Sequence, residues 1–422
     1  MALNVLRGAA MRSPRARQTS LLFTTLLATG ASFAVACGAP TSSSSVSTGQ
    51  EITNVPQTPI IKNQAIGNCW IYATGTWAES MHKIAGSGDF NTSESYWTYL
   101  DWFQKITSGS TGASISEGGS FSDSSQIIQS YGLMAEADFI PGDVGGDETS
   151  MAQGNAETAI NASLKSGALS TSAAQSNAAT VRAELDKAFG VSPAVSAMLT
   201  TAFGADLSQS FADGTANASG SKVIDPATFA VAYTSGPGTV AATKTLVDAT
   251  NEWQTVSYDA RNHRAFEARF QRALADEQPV VMSWFVDFNY LDGDGRFFLD
   301  PQHPKAPGSG GGHMVVMEDY QIDGVPGFGT LAAGTLVTDP HALAAALDPA
   351  ATIAFVRIKN SWGTTPPDLT SMPGYFDLYT NYLETSITQC SEDTPTLADG
   401  GVDLAKCSKG IPFEDVTLPP GY

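Results

Sequence analysis

Basic residues are scarce in this chain: 22 Lys and Arg stand against 42 Asp and Glu over 422 residues, a net charge of −20. Four of the 22, Arg7, Arg12, Arg15 and Arg17, crowd the N-terminus, so a chain cut after Ala36 keeps 18 against 42 and carries −24. Phosphate binding relies on Lys and Arg to displace counterions, which excludes nucleic acid as a partner. The acidity is read as what keeps an exported protein in solution. Long apolar runs are missing as well: past the N-terminus, no stretch reaches the about 18 uninterrupted apolar residues of a membrane span. Cysteines number four and histidines five, so thiol or imidazole chemistry has few residues to draw on. The glycine run GSGGGH at 308–313 lacks a Lys-Ser/Thr ending and a strand-to-helix context, which excludes a phosphate loop and leaves a mobile one.

The N-terminal arginines precede the apolar run LLFTTLLATGASFAVA, which ends in Ala34-Val35-Ala36 directly before Cys37. Basic cluster, short apolar run and small-residue end, in that order, predict a bacterial export signal over 1–36. Residues 37–50 then form a Ser-rich tether. Cys37 has two readings, lipidation as in a lipoprotein or plain cleavage after the A-x-A; Ala34 stands where lipoprotein sites usually carry Leu. The expected location is outside the bacterial cytoplasm, as an outer-membrane or cell-surface lipoprotein or a periplasmic or secreted protein. Membrane contact is expected only through a lipid on Cys37.

The rest, 51–422, has enough apolar content for a sizeable core, the whole chain being 42% hydrophobic. CWIYATGTWAESMHKIAG, from Cys69 to near Gly86, reads as a helix with the cysteine in its first turn. Thr92 or Ser93 caps a second helix, whose Tyr96, Tyr99, Leu100 and Phe103 repeat at helical spacing. A third covers about 123–131 and stops at Gly132. About 145–250 is rich in Ala, Ser, Thr and Gly and poor in aromatics. It reads as a weakly packed helical insertion, with a helix ending at Gly190 and another opened by Asp225-Pro226. A last helix carries Phe266, Phe270 and Leu274 and ends before Pro279. Beyond it the period changes to strand in VVMSWFVDF, HMVVMEDYQI, IAFVRIKN and YFDLYTNYL. Helices first and strands second predict an α+β protein with a helical lobe and a sheet lobe.

In an oxidising compartment Cys390 and Cys407, close together in the tail, are expected to form a disulfide, leaving Cys69 unpaired. A thiol at a helix N-terminus beside an imidazolium has its pKa lowered from about 8.5 to roughly 3.5–7.5. His82, His263, His303 and His341 read as packed or solvated surface residues. His313 stands where a glycine loop meets an apolar strand and is the candidate base. Asn360 ends the strand IAFVRIKN, with Trp362-Gly363 beside it as cover from water, and is the candidate orienting group. Asp287, Asn289, Asp292 and Asp294 suggest a calcium loop, but Leu291 occupies a ligand position, so this segment reads as a polar turn. No metal or organic cofactor is expected.

NQAIGNCW, GGHMVVM and IKNSWG resemble the three active-site blocks of papain-like cysteine peptidases, in the same order. SESYWTYLDWF and EGGSFSDSSQIIQSYGL are similar to the bleomycin hydrolase and bacterial aminopeptidase C branch. The resemblance implies a papain-like two-lobed fold with a helical insertion. It implies Cys69 as nucleophile, His313 as its ion-pair partner and acid, Asn360 as the acceptor orienting His313, and a peptide or protein substrate. The oxyanion residue it implies is Gln64, one position nearer the cysteine than usual, or Asn63, which stands at the usual distance. Papain's long inhibitory propeptide has no counterpart between the predicted cut and Cys69. In the bleomycin hydrolase branch the C-terminal end occupies part of the cleft, a role residues 390–422 would fill here. Endopeptidase and aminopeptidase both stay open, and oligomeric state is not legible. A second reading is a catalytically silent papain-like surface or binding protein.

Overall fold

The computed structural model describes residues 55–143, 151–364, 367–369, 372–391, 394–395, 397 and 401–422. The export signal, the tether and Cys37 lie outside the described residues.

Three helices, Cys69–Ile84, Glu94–Thr107 and Phe121–Tyr131, build the helical lobe. Of the two cap candidates Ser93 is the one used, its Oγ accepting Tyr96 N–H at 3.2 Å. Ser120 and Asp123 form a capping box at the third helix, satisfying two amides that the helix cannot bond itself. Gly132 ends that helix at φ +65° against the Ile224 carbonyl, where a Cβ would stand only 2.1 Å from the oxygen. Trp70, Trp77, Trp97 and Trp102 are fully buried in this lobe, Trp77 edge-on to Phe121 at 5.0 Å.

The insertion is better packed than its composition suggests. Its helices Met151–Ser166, Ala178–Ala188 and Pro193–Phe203 send Ile160, Leu164, Val181, Leu185 and Leu199 into the same core as the first three helices. Small side chains at helical spacing allow close approach, so few aromatics are needed; Phe189 reaches Trp102 and Tyr99 at 5.3 and 5.6 Å. The Asp225-Pro226 pair does not start a helix. Thr228 N–H bonds Asp225 O in a turn that leads into the hairpin Ala230–Tyr233 and Ala242–Thr245, so the insertion is not wholly helical.

The sheet lobe runs Gln254–Ser257, Phe413–Leu418, Val280–Asp287, Ser309–Val325, Thr352–Lys359, Tyr375–Tyr379 and Arg296–Phe297 from edge to edge. All neighbours are antiparallel except the last pair. The helix His263–Ala275 covers one face with Phe266, Phe270 and Leu274. The architecture is α+β with one apolar core in each lobe.

Two expectations need correction. The glycine run is not a loop: Gly310, Gly311 and Gly312 pair with Asp287, Val286 and Phe285 inside the central strand, and a Cβ on Gly310 would lie 1.9 Å from the Val286 oxygen. Glycine here permits close strand approach. YFDLYTNYL is a strand only to Tyr379; Thr380–Leu383 turns into a short helix. Residues 413–418 are an interior strand, and the chain then ends with Tyr422 bonded to Asp276 and Thr234. These last residues are committed to the sheet lobe, with Glu414 near enough to Cys69 to act on its charge. The Cys390–Cys407 disulfide is present, with an S–S distance of 2.05 Å.

Candidate active site

Successive side chains of a strand point to opposite faces. On the central strand Met314 and Val316 therefore enter the helical-lobe core, while Val315 and Met317 enter the sheet-lobe core. His313 is set by this register, paired across to Trp284. One strand over, Lys359 pairs with Val316, and Asn360 N–H is fixed on Gly374 O at 2.9 Å. The two strands bring His313 Nε2 to 2.8 Å from Asn360 Oδ1.

That contact assigns the protons. Asn360 Oδ1 also accepts Ser361 N–H at 2.8 Å, so the atom is the amide oxygen, and Nε2 must be the N–H that donates to it. In the neutral ring this leaves Nδ1 as the basic nitrogen, with no hydrogen-bond partner among the described residues. Trp362 stacks on the imidazole with centroids 4.6 Å apart and planes 24° apart, and Trp284 meets it edge-on at 6.2 Å. His313 is 4% exposed and can turn in neither direction without losing one of these walls.

Cys69 opens its helix at 7% exposure. Its sulfur lies within reach of backbone donors from Met314, Trp70 and Cys69 itself. Met314 is the neighbour of His313 and shares a buried cluster with Cys69, so the strand that carries the imidazole packs against the nucleophile helix. The expected lowering of the thiol pKa is not found: burial pushes Cys69 up to about 11, outweighing those backbone donors. Burial also pushes His313 down to about 4, against the Asn360 bond. Both groups are therefore neutral in the unliganded site, because each charged form alone has lost more hydration than its dipoles replace.

The segment before the cysteine is stitched to the strand end that carries Asn360. Asn63 bridges to Trp362, Gln64 N–H bonds Ser361 O at 2.8 Å, and Gly363 N–H bonds Lys62 O at 2.9 Å. Gln64 Oε1 accepts Ser361 Oγ–H at 2.5 Å, and Gln64 Nε2 donates to Ile66 O at 2.9 Å. The Asn63 side chain instead lies against Gly363, where a Cβ would be 2.9 Å from its Nδ2. The loop is tight, with Asn68 N–H turned back onto Ile66 O at 2.9 Å.

Several side chains behind the site have a role that the sequence alone did not assign. Lys62, 1% exposed, bonds Glu79 at 2.7 Å and also Glu94, tying the pre-cysteine segment to two helices. The Glu117 carboxyl Oε2 accepts Gly67 N–H, and Trp70 Nε1 donates to Glu117 O at 2.8 Å. Asn68, at the helix N-cap, makes no side-chain cap; its Nδ2 donates to Thr98 Oγ1 and to Gln153 Oε1, each at 2.8 Å. A missing cap costs about 1 kcal/mol. Asn68, Glu94, Thr98, Glu117 and Ser361 all stand inside segments singled out in the sequence, but nothing there pairs them, because the partners lie 17 to 85 residues apart in the chain. Asp292 and Asp294 both bind Arg296, as a polar turn does.

No family model matches the chain, and no curated protein matches it. Among solved structures, xylellain, a cysteine protease from Xylella fastidiosa, is similar over 89% of this chain and 87% of its own, at 12% identity and a TM-score of 0.34. The clostridial cysteine protease Cwp84, solved after propeptide cleavage, is similar over 86% of this chain and 77% of its own, at 10% identity and a TM-score of 0.26. Likenesses this distant carry no argument about activity or residue roles.

Proposed function

We propose that this protein is an exported cysteine peptidase of the papain-like group, acting on peptides or proteins through Cys69, His313 and Asn360. The observation that carries the proposal is the His313–Asn360 bond, which reserves Nδ1 as a base, on a strand that packs against the helix Cys69 opens. Nδ1 takes the thiol proton as the sulfur attacks the substrate carbonyl carbon. The resulting oxyanion is held by Cys69 N–H and the second N–H of Gln64 Nε2. The imidazolium then gives its proton to the leaving amine, so the C–N bond breaks and a thioester remains. Water, with Nδ1 again as base, attacks the thioester, releasing the carboxylic acid and restoring the thiol.

Export and the fate of Cys37 rest on the sequence alone, as does the narrower kinship with bleomycin hydrolase. Residues 413–418 belong to the sheet, and Glu414 among them stands near enough to Cys69 to act on its charge.

One observation favours the silent alternative: Cys69 and His313 are both buried and held neutral. A peptide-library digest read by mass spectrometry separates the two readings. New termini that vanish in Cys69→Ala and in His313→Ala support the peptidase. Intact peptides under every condition, with the chain folded and Cys69 reduced, mean a retained but silent cleft.

A further inference from the structure

We infer that the sheet lobe carries a second binding site, beside the helix His263–Ala275, for a small phosphate monoester with a short apolar body. Past residue 36 the chain has seven arginines, and four of them, Arg261, Arg264, Arg269 and Arg272, fall within twelve residues. Two of the four are engaged: Arg264 pairs with Glu267 at 3.1 Å, and Arg269 donates to Tyr422 O. The side chains of Arg261 and Arg272 are exposed and make no hydrogen bond or ion pair among the described residues, and neither does the ring of His263. In a chain of net charge −20, unpaired cations gathered on one surface are the exception.

Arg261, His263 and Arg272 border one hollow of about 500 Å³, a size that suits a small molecule. Ala265 and Ala268 stand at helical spacing with Arg272, so small side chains open the hollow on the face that carries the guanidinium. The opposite wall is Leu347 and Pro349. Arg264 fastens that wall to the helix, donating to Ala346 O at 2.6 Å and to Asp348 O at 3.4 Å, so the hollow is built into the fold. No carboxylate lines it. The acids next to it in the chain are engaged in their own turns: Asp259 accepts Arg261 N–H at 3.0 Å and Asn262 Nδ2–H at 2.9 Å, and Asp348 Oδ1 accepts Ala350 N–H at 2.8 Å.

Guanidinium groups match phosphate with paired N–H donors, and a phosphate monoester brings a charge of about −1.5 to −2 with three acceptor oxygens. That neutralises both unpaired arginines, whereas a carboxylate neutralises one. The alanines, Leu347 and Pro349 then receive the organic body of the ester. The helix packs on the sheet face that carries Val315 and Met317, while Met314 and Val316 face the helical lobe. The site is therefore apart from Cys69 and does not depend on the proposed peptidase chemistry.

The test is titration calorimetry of the full chain with phenyl phosphate, inorganic phosphate and benzoate. Phenyl phosphate is expected to bind once per chain and more tightly than either of the others. Arg272→Gln is expected to weaken it about tenfold, the worth of a hydrogen bond to a charged group, and Arg261→Gln together with Arg272→Gln about a hundredfold. Both side chains are exposed, so the fold does not depend on them. Ala265→Leu, which fills the floor and keeps the charges, is expected to bring phenyl phosphate down to the affinity of inorganic phosphate. No binding of phenyl phosphate, or binding that the double variant leaves unchanged, overturns the inference. Equal affinity for inorganic phosphate or for benzoate overturns it as well, the first removing the apolar body and the second the phosphate. A lipid headgroup is the other source of the same chemistry. Sedimentation with phosphatidylcholine vesicles containing phosphatidic acid, lost in the double variant while phenyl phosphate does not bind, would give these arginines to a membrane surface and overturn the small-molecule site.

Discussion

The two lobes hold their halves of the site by different physics. In the sheet lobe, backbone register does the placing: His313 and Asn360 meet because Val316 pairs with Lys359, and the rings of Trp284 and Trp362 close in on the imidazole. In the helical lobe the nucleophile is set by buried polar side chains, Lys62 on Glu79 and Glu94, Glu117 on Gly67, and Asn68 between Thr98 and Gln153. Register follows from local residue patterns and tolerates substitution on the outer face. A buried polar network has to be satisfied member by member, and losing one partner strands the rest.

Breaking the helical side should therefore be the most damaging. Burial alone would push the Lys62 ammonium down, but Glu79 and Glu94 together push it further up, so it stays charged. Lys62→Met leaves two carboxylates buried without their cation, and a loss of about 3–5 kcal/mol is expected in chemical denaturation. Lys62→Met combined with Glu79→Gln and Glu94→Gln should recover much of that loss; if it does not, the network is not what couples the segment to the helices.

The oxyanion assignment sharpens the contrast, since Gln64 and Asn63 sit on the seam between the lobes. Gln64→Ala is expected to lower kcat by about 10²–10³ with little change in KM. Asn63→Ala, whose side chain packs on Gly363, should alter thermal stability more than kcat. The reverse pattern would transfer the role to Asn63.

On the sheet side, Gly310→Ala drives a Cβ into the Val286 carbonyl. The strand must shift, at a cost of about 1–3 kcal/mol, and the shift carries His313 away from Asn360. Activity should fall together with stability, whereas Gly312→Ala, where a Cβ meets nothing within 4 Å, should change neither.

The smallest expected effects are in pH dependence. Burial, and then the Glu157 carboxyl beside it, push Glu117 up to about 8 against the pull of Gly67 N–H. A carboxyl raised in the folded state is protonated there while the unfolded chain, with a carboxyl near about 4.3, has already ionised. Stability is thus expected to fall as pH rises from about 4.3 to about 8. Glu117→Gln should flatten part of that slope, leaving the part that Glu384, also pushed up to about 8, contributes. For the site, alkylation of Cys69 in the unliganded protein should be slow at neutral pH and rise towards about 11. A fast rate already flat at neutral pH would restore the thiolate–imidazolium pair that the resemblance implies.

The sequence by itself determined the α+β division, because helical and strand periods are carried by neighbouring residues; it singled out Cys69 and His313 because few thiols and imidazoles were there to choose from, and Asn360 because it ends a strand beside Trp362-Gly363. It also determined the Cys390–Cys407 pairing, since both cysteines stand close together in one tail. Only the tertiary structure decided that the glycine run is strand, that the insertion shares the helical core, and that the tail is an interior strand, because each depends on a partner distant in the chain. The thiol and imidazole pKa directions were decided the same way: residue types set the ordinary values, but the water each group loses is a property of the packed site.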